Sequence, residues 1–432
     1  MGSNIYFIDK GPSILMVDLN SLHTCEVSKD GLTRETLQRK IDEAFADQRP
    51  YFERLQPQVN PERKQSAVII TSFACNYSCE YCYQKPSKSI YDRMKPEDID
   101  SIVRFFQVYS EKRGIPIELS DIGIMGGEPL LLENREVLEK IKQTWPQCPL
   151  AITTNGSNLL EYEDFLKSSN IEVAVSIDGT EKTHFSRRKT NDPLAYRKAI
   201  DGIRHLVEGG KKVGILTLFS PDNIDDYSLF FDEMEDLGWS HDGQSKIKLV
   251  FSPEIECGND SRILSTVMEE LEAFVALRRK DPRAWAVHAK QLLPGAASLT
   301  DALDLATKGF YTPYRCNVLS GAGFTFLPDG YVMPCIGIQN RQFSIGRFKP
   351  DIEINERIIE LLAKRRVDKI EQCRACSKRV LCNGGCLATV LAKKDDPTAL
   401  CCDIWEKPDY MKYFEAIVPQ INSFPSQPKQ AL

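Results

Sequence analysis

The stretch "AVIITSFACNYSCEYC", residues 67–82, joins an apolar run to three closely spaced cysteines. An apolar run without alternation is typical of a strand that is buried on both faces of a parallel sheet. Cys75, Cys79 and Cys82 begin two residues after the run, where a strand of such a sheet carries its ligand site. A structural metal site usually takes four ligands, so three cysteines indicate a metal centre with one open position.

Further apolar runs alternate with amphipathic stretches over the next part of the chain. These runs cover residues 121–126, 150–155, 172–178, 212–219 and 246–252. Repeated βα units predict a parallel sheet. Six strands suit an open sheet as well as a partial barrel, and we predict an α/β fold with a partial (β/α)6 TIM-type barrel.

The chain divides into four predicted parts. Residues 1–60 form an N-terminal segment of three short strands, a helix capped by Thr33, and a Pro-rich linker. Residues 61–260 form the barrel, and residues 261–315 form a helical bridge. Residues 316–432 form a cysteine-rich domain, with a hairpin turned by Asp329-Gly330 and a last helix around 409–421.

Composition narrows the class of protein. The chain has 432 residues and a net charge of −6, so the basic footprint of a nucleic-acid-binding protein is missing. No apolar run is long enough to span a membrane, and the N-terminus lacks an apolar signal core, so we predict a cytoplasmic protein. Fourteen cysteines in such a chain indicate metal or redox chemistry. Cys25, Cys148 and Cys257 stand alone and are read as small buried hydrophobes.

Thiolates are soft ligands that suit iron–sulfur clusters. A 4Fe-4S cluster takes four cysteines, so three leave one iron free for a substrate or a cofactor. The alternative is half a zinc site, or cysteines that lie close together by chance.

The spacing C-x3-C-x2-C, with Tyr81 before the last cysteine, resembles the signature of radical SAM (S-adenosylmethionine) enzymes. The resemblance implies that SAM chelates the open iron of a 4Fe-4S cluster held by Cys75, Cys79 and Cys82. An electron, from a donor such as flavodoxin or ferredoxin, would cleave SAM to a 5′-deoxyadenosyl radical. That radical would take a hydrogen atom from the substrate. The cofactor supplies this chemistry and the protein supplies orientation.

Polar motifs end the next three predicted strands. "MGGEP" contains Gly126, Gly127 and Glu128, "TTNG" contains Thr154 and Asn155, and "SIDG" contains Ser176 and Asp178. Each motif alone is also a plain turn. The resemblance implies that they contact SAM, with Glu128 facing its amino group. It also implies that Arg188 binds the SAM carboxylate, and Arg187 is the rival for this role.

The later cysteines have the spacing C-x18-C, then C-x2-C-x5-C-x3-C, then a final pair. Two structural zinc sites are one interpretation of so many thiols, and a zinc-binding interaction protein is the corresponding non-enzyme hypothesis. The pattern resembles the SPASM extension of some radical SAM enzymes, which implies two auxiliary 4Fe-4S clusters and hence three in all. Cys373, Cys376, Cys382 and Cys402 would hold the outer cluster. Cys316, Cys335 and Cys386 would hold the inner one.

Two points in this ligand set stay open. Nothing between Cys316 and Cys335 supplies a fourth inner ligand, so the inner cluster has an open iron or takes Cys257 or the spare terminal cysteine. Cys401 competes with Cys402 for the outer cluster, and the following "DIW" favours Cys402.

SPASM enzymes mostly modify peptides or proteins, so the resemblance implies a maturase of ribosomally made peptides (RiPPs). The N-terminal strands would then bind the leader of a precursor peptide by adding it to a sheet, or they merely cap the barrel. We predict abstraction of a hydrogen atom followed by an intrapeptide crosslink, either thioether or carbon–carbon. The alternatives are a sulfatase-type maturase that forms formylglycine and an enzyme acting on a small molecule. The sequence indicates no catalytic general base.

Overall fold

The structure is a computed structural model, and it describes most of the barrel and parts of both ends. The described residues are 5–9, 12–18, 23–44, 56–57, 64–84, 91–240, 245–253, 273–274, 276–289, 310–314, 316, 319, 323–338, 340–376, 379–400 and 402. Cys257, Cys401, the predicted last helix and most of the predicted bridge and linker lie outside these residues.

A central sheet of eleven strands organises the described residues. Seven of its strands are consecutive in the chain and parallel, which confirms the predicted partial barrel. They are β5 (Gln65–Ile70), β6 (Leu119–Met125), β7 (Leu150–Thr154), β8 (Ile171–Ser176), β9 (Val213–Phe219), β10 (Ile247–Pro253) and β11 (His288–Ala289). The six predicted runs all form strands, but burial on both faces was wrong for β7 and β8, because fully buried residues alternate there with half-buried or exposed ones.

Helices connect these strands and cover them. They are α2 (Pro96–Arg113), α3 (Arg135–Thr144), α4 (Glu163–Leu166), α5 (Glu181–Arg187), α6 (Ala195–Glu208) and α7 (Tyr227–Asp236). Helix α2 begins at Pro96, whose missing N–H costs nothing at a first position. It ends at Gly114, which takes a left-handed φ of 63°.

The other edge of the barrel is extended by the C-terminal part of the chain. Strand β13 (Gly323–Phe326) pairs parallel with β5, and an antiparallel meander continues from it. The meander consists of β14 (Tyr331–Met333), β15 (Gly346–Arg347) and β16 (Glu353–Ile354). Phe105, Phe106 and Tyr109 of α2 pack edge-on against Phe324 of β13. The cysteine-rich part therefore shares a sheet and a core with the barrel.

Four short helices follow the meander. They are α8 (Glu356–Ala363), α9 (Glu371–Arg374), α10 (Arg379–Cys382) and α11 (Leu387–Lys394). Two two-residue strands, β4 (Gln56–Pro57) and β12 (Phe310–Tyr311), pair with each other away from the main sheet. No helix among the described residues has the length and apolar character needed to cross a membrane.

The N-terminal segment forms its own antiparallel sheet, in agreement with the sequence. Its strands are β1 (Ile5–Asp9), β2 (Ser13–Asp18) and β3 (His23–Ser28), in that order, and α1 (Arg34–Ala44) follows. Thr33 caps α1, because its hydroxyl accepts the backbone N–H of Thr36 at 3.2 Å. Leu15 of β2 is 6% exposed and belongs to the main hydrophobic core. The small sheet is thus anchored to the rest of the protein.

Candidate active site

The three opening cysteines lie on the loop that leaves β5. The strand ends at Ile70, five residues before Cys75, so the connection is longer than the sequence predicted. All three thiols are half-buried. Within the loop the Tyr77 N–H donates to the Cys75 sulfur at 3.3 Å, and the Cys82 N–H donates to the Cys79 carbonyl at 3.4 Å. These bonds give the loop a defined backbone conformation.

Gly126 and Gly127 hold this loop at its start. The Gly127 N–H donates to the Ser72 carbonyl, and the Glu128 N–H donates to the Ala74 carbonyl, each at 2.9 Å. A Cβ on Gly127 would lie 2.3 Å from the Ala74 oxygen, and one on Gly126 would lie 2.4 Å from the Ser72 oxygen. The space that the glycines provide is therefore filled by the backbone of the cysteine loop.

Glu128 joins the ends of β6 and β7 through a buried carboxylate. Its two oxygens accept three hydrogen bonds, from the Leu130 N–H at 2.8 Å and from the Thr154 hydroxyl and Asn155 N–H at 2.6 Å each. Burial raises the pKa of Glu128 to about 6, although these bonds and Arg188 lower it. The carboxylate that was predicted to contact the SAM amino group is thus already hydrogen-bonded within the protein.

Asn155 extends the same network to the cysteine loop. Its side-chain amide donates to the side-chain oxygen (Oδ1) of Asn76 at 2.7 Å and lies 4.0 Å from the Cys75 sulfur. Asn76 in turn donates to the Ser157 hydroxyl at 2.9 Å. The sequence analysis did not select Asn76 or Ser157. The sequence features that could have indicated them are a polar residue directly after the first cysteine, Asn76, and another directly after the Asn-Gly turn, Ser157.

Asp178 is the second buried carboxylate and lies beneath the other end of the loop. It accepts hydrogen bonds from the Tyr81 hydroxyl, from the Arg188 Nε at 2.9 Å and from the Leu218 N–H at 2.9 Å. Burial alone would raise the pKa of Asp178, but Arg188, Tyr81, Arg187 and Leu218 lower it overall. The carboxylate is therefore charged and fully enclosed by its donors.

Arg188 pairs with Asp178 and faces the cysteine loop. Burial would lower its pKa, but Asp178, Tyr81 and Cys79 raise it overall. Burial raises the pKa of the Cys79 thiol, and Arg188 acts in the opposite direction. The rival Arg187 donates to the Ser220 hydroxyl at 3.1 Å. Both guanidinium groups lie over the Tyr81 ring, at 5.2 Å for Arg187 and 5.6 Å for Arg188.

The ends of β5 to β8 thus bring most of the predicted residues to one edge of the sheet, around the cysteine loop. Ser176 ends β8 and is half-buried. The backbone of the loop is fixed to the segment after α5, because the Ser78 N–H donates to the Lys189 carbonyl at 2.7 Å. His184, which the sequence analysis passed over, lies fully buried against Tyr77 of the loop.

The second group of thiols comes together in the C-terminal part. Burial, together with the neighbouring thiols Cys382, Cys402 and Cys376, raises the pKa of Cys373 to about 11. These four cysteines are the ones predicted for an outer cluster. The Gly337 N–H donates to the Cys335 sulfur at 3.4 Å, and Gly337 packs against Ala388, two residues after Cys386. Cys316 is exposed.

The donor sets fit iron–sulfur clusters by their chemistry, with three thiols on one loop and four neighbouring thiols in the C-terminal part. Among the described residues, no three His, Cys, Asp or Glu side chains form a compact ligand group for a single metal ion.

Residues 69–233 match the family model of the radical SAM superfamily. This match covers less than half of the chain, and it includes the loop with Cys75, Cys79 and Cys82. Among curated relatives, the chain is 29% identical over 154 residues to the GTP 3′,8-cyclase of Nautilia profundicola. That match covers 35% of the chain and 46% of the cyclase, so it spans less than half of the relative's length.

Solved structures resemble the chain over a longer range. The protein anSMEcpe with bound AdoMet has a TM-score of 0.60 and 18% identity, over 83% of this chain and 94% of that one. SuiB of Streptococcus suis bound to the precursor peptide SuiA has a TM-score of 0.55 and 14% identity, over 94% of this chain and 99% of SuiB. These likenesses confirm the fold that the sequence predicted, and the likeness to SuiB includes most of both ends of the chain.

Proposed function

We propose that the chain is a radical SAM/SPASM maturase that forms an intrapeptide crosslink in a ribosomally made precursor peptide. The observation that carries this proposal is the enclosure of the Cys75–Cys82 loop by the ends of four parallel strands, in a chain that also has an N-terminal sheet and a second group of thiols. The structural likeness to SuiB, which was solved with a precursor peptide, supports the peptide as substrate class.

When bound, a 4Fe-4S cluster and SAM supply the one-electron cleavage that yields the 5′-deoxyadenosyl radical. Cys75, Cys79 and Cys82 would hold this cluster. Glu128, Asn155 and Asn76 hold one end of their loop, and Asp178, Tyr81 and Arg188 hold the other. The side chains of Asn76 and Tyr81 are thus held in place within the protein, which lowers the cost of ordering the loop.

The crosslink removes two hydrogen atoms from the peptide. One leaves in 5′-deoxyadenosine, and the other leaves as a proton and an electron when a sulfur or a second carbon joins the carbon radical. Cys373, Cys376, Cys382 and Cys402 would hold an outer auxiliary cluster, and Cys316, Cys335 and Cys386 an inner one. Such clusters supply an acceptor for that electron. An open inner iron favours the thioether, because it can bind the donor thiolate.

The partner peptide would be bound through its leader by the β1–β3 sheet. Both outer strands of this sheet have an edge that no described strand covers, and an extended peptide adds to such an edge through backbone hydrogen bonds. An electron donor such as a flavodoxin or a ferredoxin completes the proposed set of partners.

The test starts with protein purified without oxygen and reduced with dithionite in the presence of SAM. The wild-type protein should release 5′-deoxyadenosine, and Cys79→Ala should release none. Cys148→Ala is the matched control, since Cys148 is a half-buried thiol outside both groups and should leave the activity unchanged. Activity in Cys79→Ala, or none in the wild type with iron bound, would contradict the proposal.

A sulfatase-type maturase is the second candidate, because anSMEcpe shares the fold. The two reactions are separated by incubation with a candidate precursor peptide. A crosslinked product has lost two hydrogen atoms and does not react with a hydrazide, whereas formylglycine does. A hydrazide adduct would therefore favour the second candidate.

A further inference from the structure

Arg365 is a buried arginine in the C-terminal part, two residues after α8 ends. It is 3% exposed. Its guanidinium donates to three backbone carbonyls, to Pro397 and Ala399 at 2.6 Å each and to Gly384 at 3.0 Å. A planar guanidinium holds such a set of acceptors in fixed directions.

These carbonyls belong to two segments that carry predicted cluster ligands. Gly384 lies between Cys382 and Cys386, and Ala399 lies three residues before Cys402. The Val367 N–H also donates to the Pro313 carbonyl at 2.9 Å, which ties the same segment to the chain just before Cys316. Arg365 thus lies where the parts of the predicted ligand set meet.

The charge of Arg365 has no close counter-charge among the described residues, since no carboxylate there lies within ion-pair distance of it. Asp396 acts on it only from a distance and accepts its own bonds from Thr398. The Arg365 Nε is buried and has no hydrogen-bond partner in the described part of the chain. A buried cation that has hydrogen-bond acceptors but no counter-charge is costly, so an anion is expected beside it.

Cys373, Cys386 and Cys382 are the thiols whose charged forms act on Arg365. Burial lowers the pKa of Arg365, and the thiolate forms of these cysteines raise it. Cys373 and Cys382 are predicted ligands of the outer cluster, and Cys386 is a predicted ligand of the inner one. A 4Fe-4S cluster with thiolate ligands carries net negative charge, which increases on reduction.

We propose that Arg365 is a positioning residue for the auxiliary clusters, which joins the 382–386 loop to the 397–402 segment and supplies the positive charge that the clusters need. This inference rests on the proposed function, because it requires auxiliary clusters. A cation beside a cluster favours the reduced state, so Arg365 should also raise the reduction potentials of the clusters it faces.

The experiment compares the full-length wild type with Arg365→Gln, Arg365→Lys and Arg366→Gln after anaerobic reconstitution with iron and sulfide. Arg366 is the matched control, because it is the next residue but pairs with Asp368 at 2.6 Å nearer the surface. The experiment measures the iron bound per chain. It also measures the reduction potentials, from a redox titration that is monitored by electron paramagnetic resonance.

The wild type and Arg366→Gln should bind about twelve irons, as three clusters require. The iron content of Arg365→Gln should fall toward about four irons per chain, the number that one cluster on the Cys75 loop requires. The reduction potentials of any remaining auxiliary clusters should shift to more negative values. Arg365→Lys keeps the charge without the planar fork, so it should lose iron while its remaining auxiliary clusters keep potentials near those of the wild type.

Unchanged iron content and potentials in Arg365→Gln would overturn the inference and leave the proposed function intact. If Arg365→Gln does not fold, Arg365→Lys decides, and full iron content in that variant overturns the positioning role. A wild type with only one cluster that still forms 5′-deoxyadenosine would overturn the inference and the auxiliary clusters of the proposed function, but not the cleavage of SAM. A wild type that binds no iron would overturn the proposed function.

Discussion

At the scale of single residues, the two acidic side chains predicted to face the cofactor both point into the protein. Glu128 accepts bonds from three groups at the ends of β6 and β7, and Asp178 accepts from Tyr81, Arg188 and Leu218. Their visible role is to hold the cysteine loop. The sequence could place them at the strand ends, but it could not show that their partners lie within the protein.

Asp178→Asn tests the importance of this buried carboxylate. The change leaves Arg188, which is 7% exposed, without its anionic partner. Breaking a buried pair in this way costs about 3–5 kcal/mol, and the free energy of unfolding in urea should fall by that amount. Asp225→Asn is the control, since the pair of Asp225 with Lys280 is exposed and its loss should leave the unfolding curve unchanged. Equal stability of both variants would refute this role of Asp178.

Gly127→Ala tests the close contact between the second strand end and the cysteine loop. The new Cβ would lie 2.3 Å from the Ala74 oxygen, so the loop must move. We expect a loss of about 1–3 kcal/mol in the free energy of unfolding and a loss of the iron that Cys75, Cys79 and Cys82 bind. Gly214→Ala in β9 is the matched control, because the nearest atom to its Cβ is 3.6 Å away. Normal iron binding by Gly127→Ala would contradict the prediction.

The buried His184 predicts how the free energy of unfolding depends on pH. Burial lowers its pKa from 6.5 to about 3, with Arg188 acting in the same direction. The contribution of neutral His184 to the free energy of unfolding is complete above the pKa of the histidine in the unfolded chain. It is lost as pH falls below that pKa, because the unfolded state takes up a proton that the folded state does not. Between pH 7 and pH 5.5 this loss is about 1 kcal/mol.

The measurement is the free energy of unfolding in urea at pH 7 and pH 5.5. His184→Gln should lose about 1 kcal/mol less than the wild type over this range. Tyr77→Phe removes a hydroxyl from the ring that contacts His184 and should keep the wild-type pH dependence. If His184→Gln loses as much stability as the wild type, the buried neutral histidine is not the source.

At the scale of secondary-structure elements, the sequence predicts most of the fold. Apolar runs of strand length predicted β5 to β10, and short runs separated by turn residues predicted β1 to β3. The pairing of β13 with β5 was not predicted, because the two strands are more than 250 residues apart and no local pattern encodes their contact. The same limit applies to the bond between Thr154 and Glu128, which two separate motifs form.

Removal of residues 1–45 tests the element proposed to bind the leader. The affinity for the precursor peptide should fall at least about tenfold, since the edge of the β1–β3 sheet and its backbone hydrogen bonds are lost. Formation of 5′-deoxyadenosine without peptide should continue, and this measurement is the control for folding. Because Leu15 packs into the main core, Leu15→Ala serves as a second control that perturbs packing but keeps the strand edge. Unchanged peptide affinity in the truncated protein would exclude leader binding by this segment.

At the scale of the whole molecule, charge is unevenly distributed. The chain has a net charge of −6, yet the exposed charged residues from 364 to 374 are three basic ones, Lys364, Lys369 and Arg374, and one acid, Glu371. This stretch includes Cys373, the first predicted ligand of the outer cluster. Flavodoxins and ferredoxins are acidic proteins, so this basic surface would attract them over a distance of about one Debye length.

The triple change Lys364→Glu, Lys369→Glu and Arg374→Glu should slow electron delivery from reduced flavodoxin about tenfold at low salt. The difference from the wild type should shrink as salt is added, and reduction by dithionite should be unaffected. Three exposed basic residues of the barrel, changed to Glu in the same way, form the control: Arg104, Lys112 and Lys212. A salt-independent rate, or equal slowing in the control, would show that the donor docks elsewhere.

The pairing of β13 with β5 also limits how this protein can be truncated. A barrel cut off before residue 316 would lose the neighbour of β5 and uncover Phe105, Phe106 and Tyr109. A bare central strand beside an aromatic patch is a strong aggregation hazard. The modules recognised along the sequence are therefore not independent parts, and the ladder between these two strands sets the spacing between the Cys75 loop and the C-terminal group of thiols.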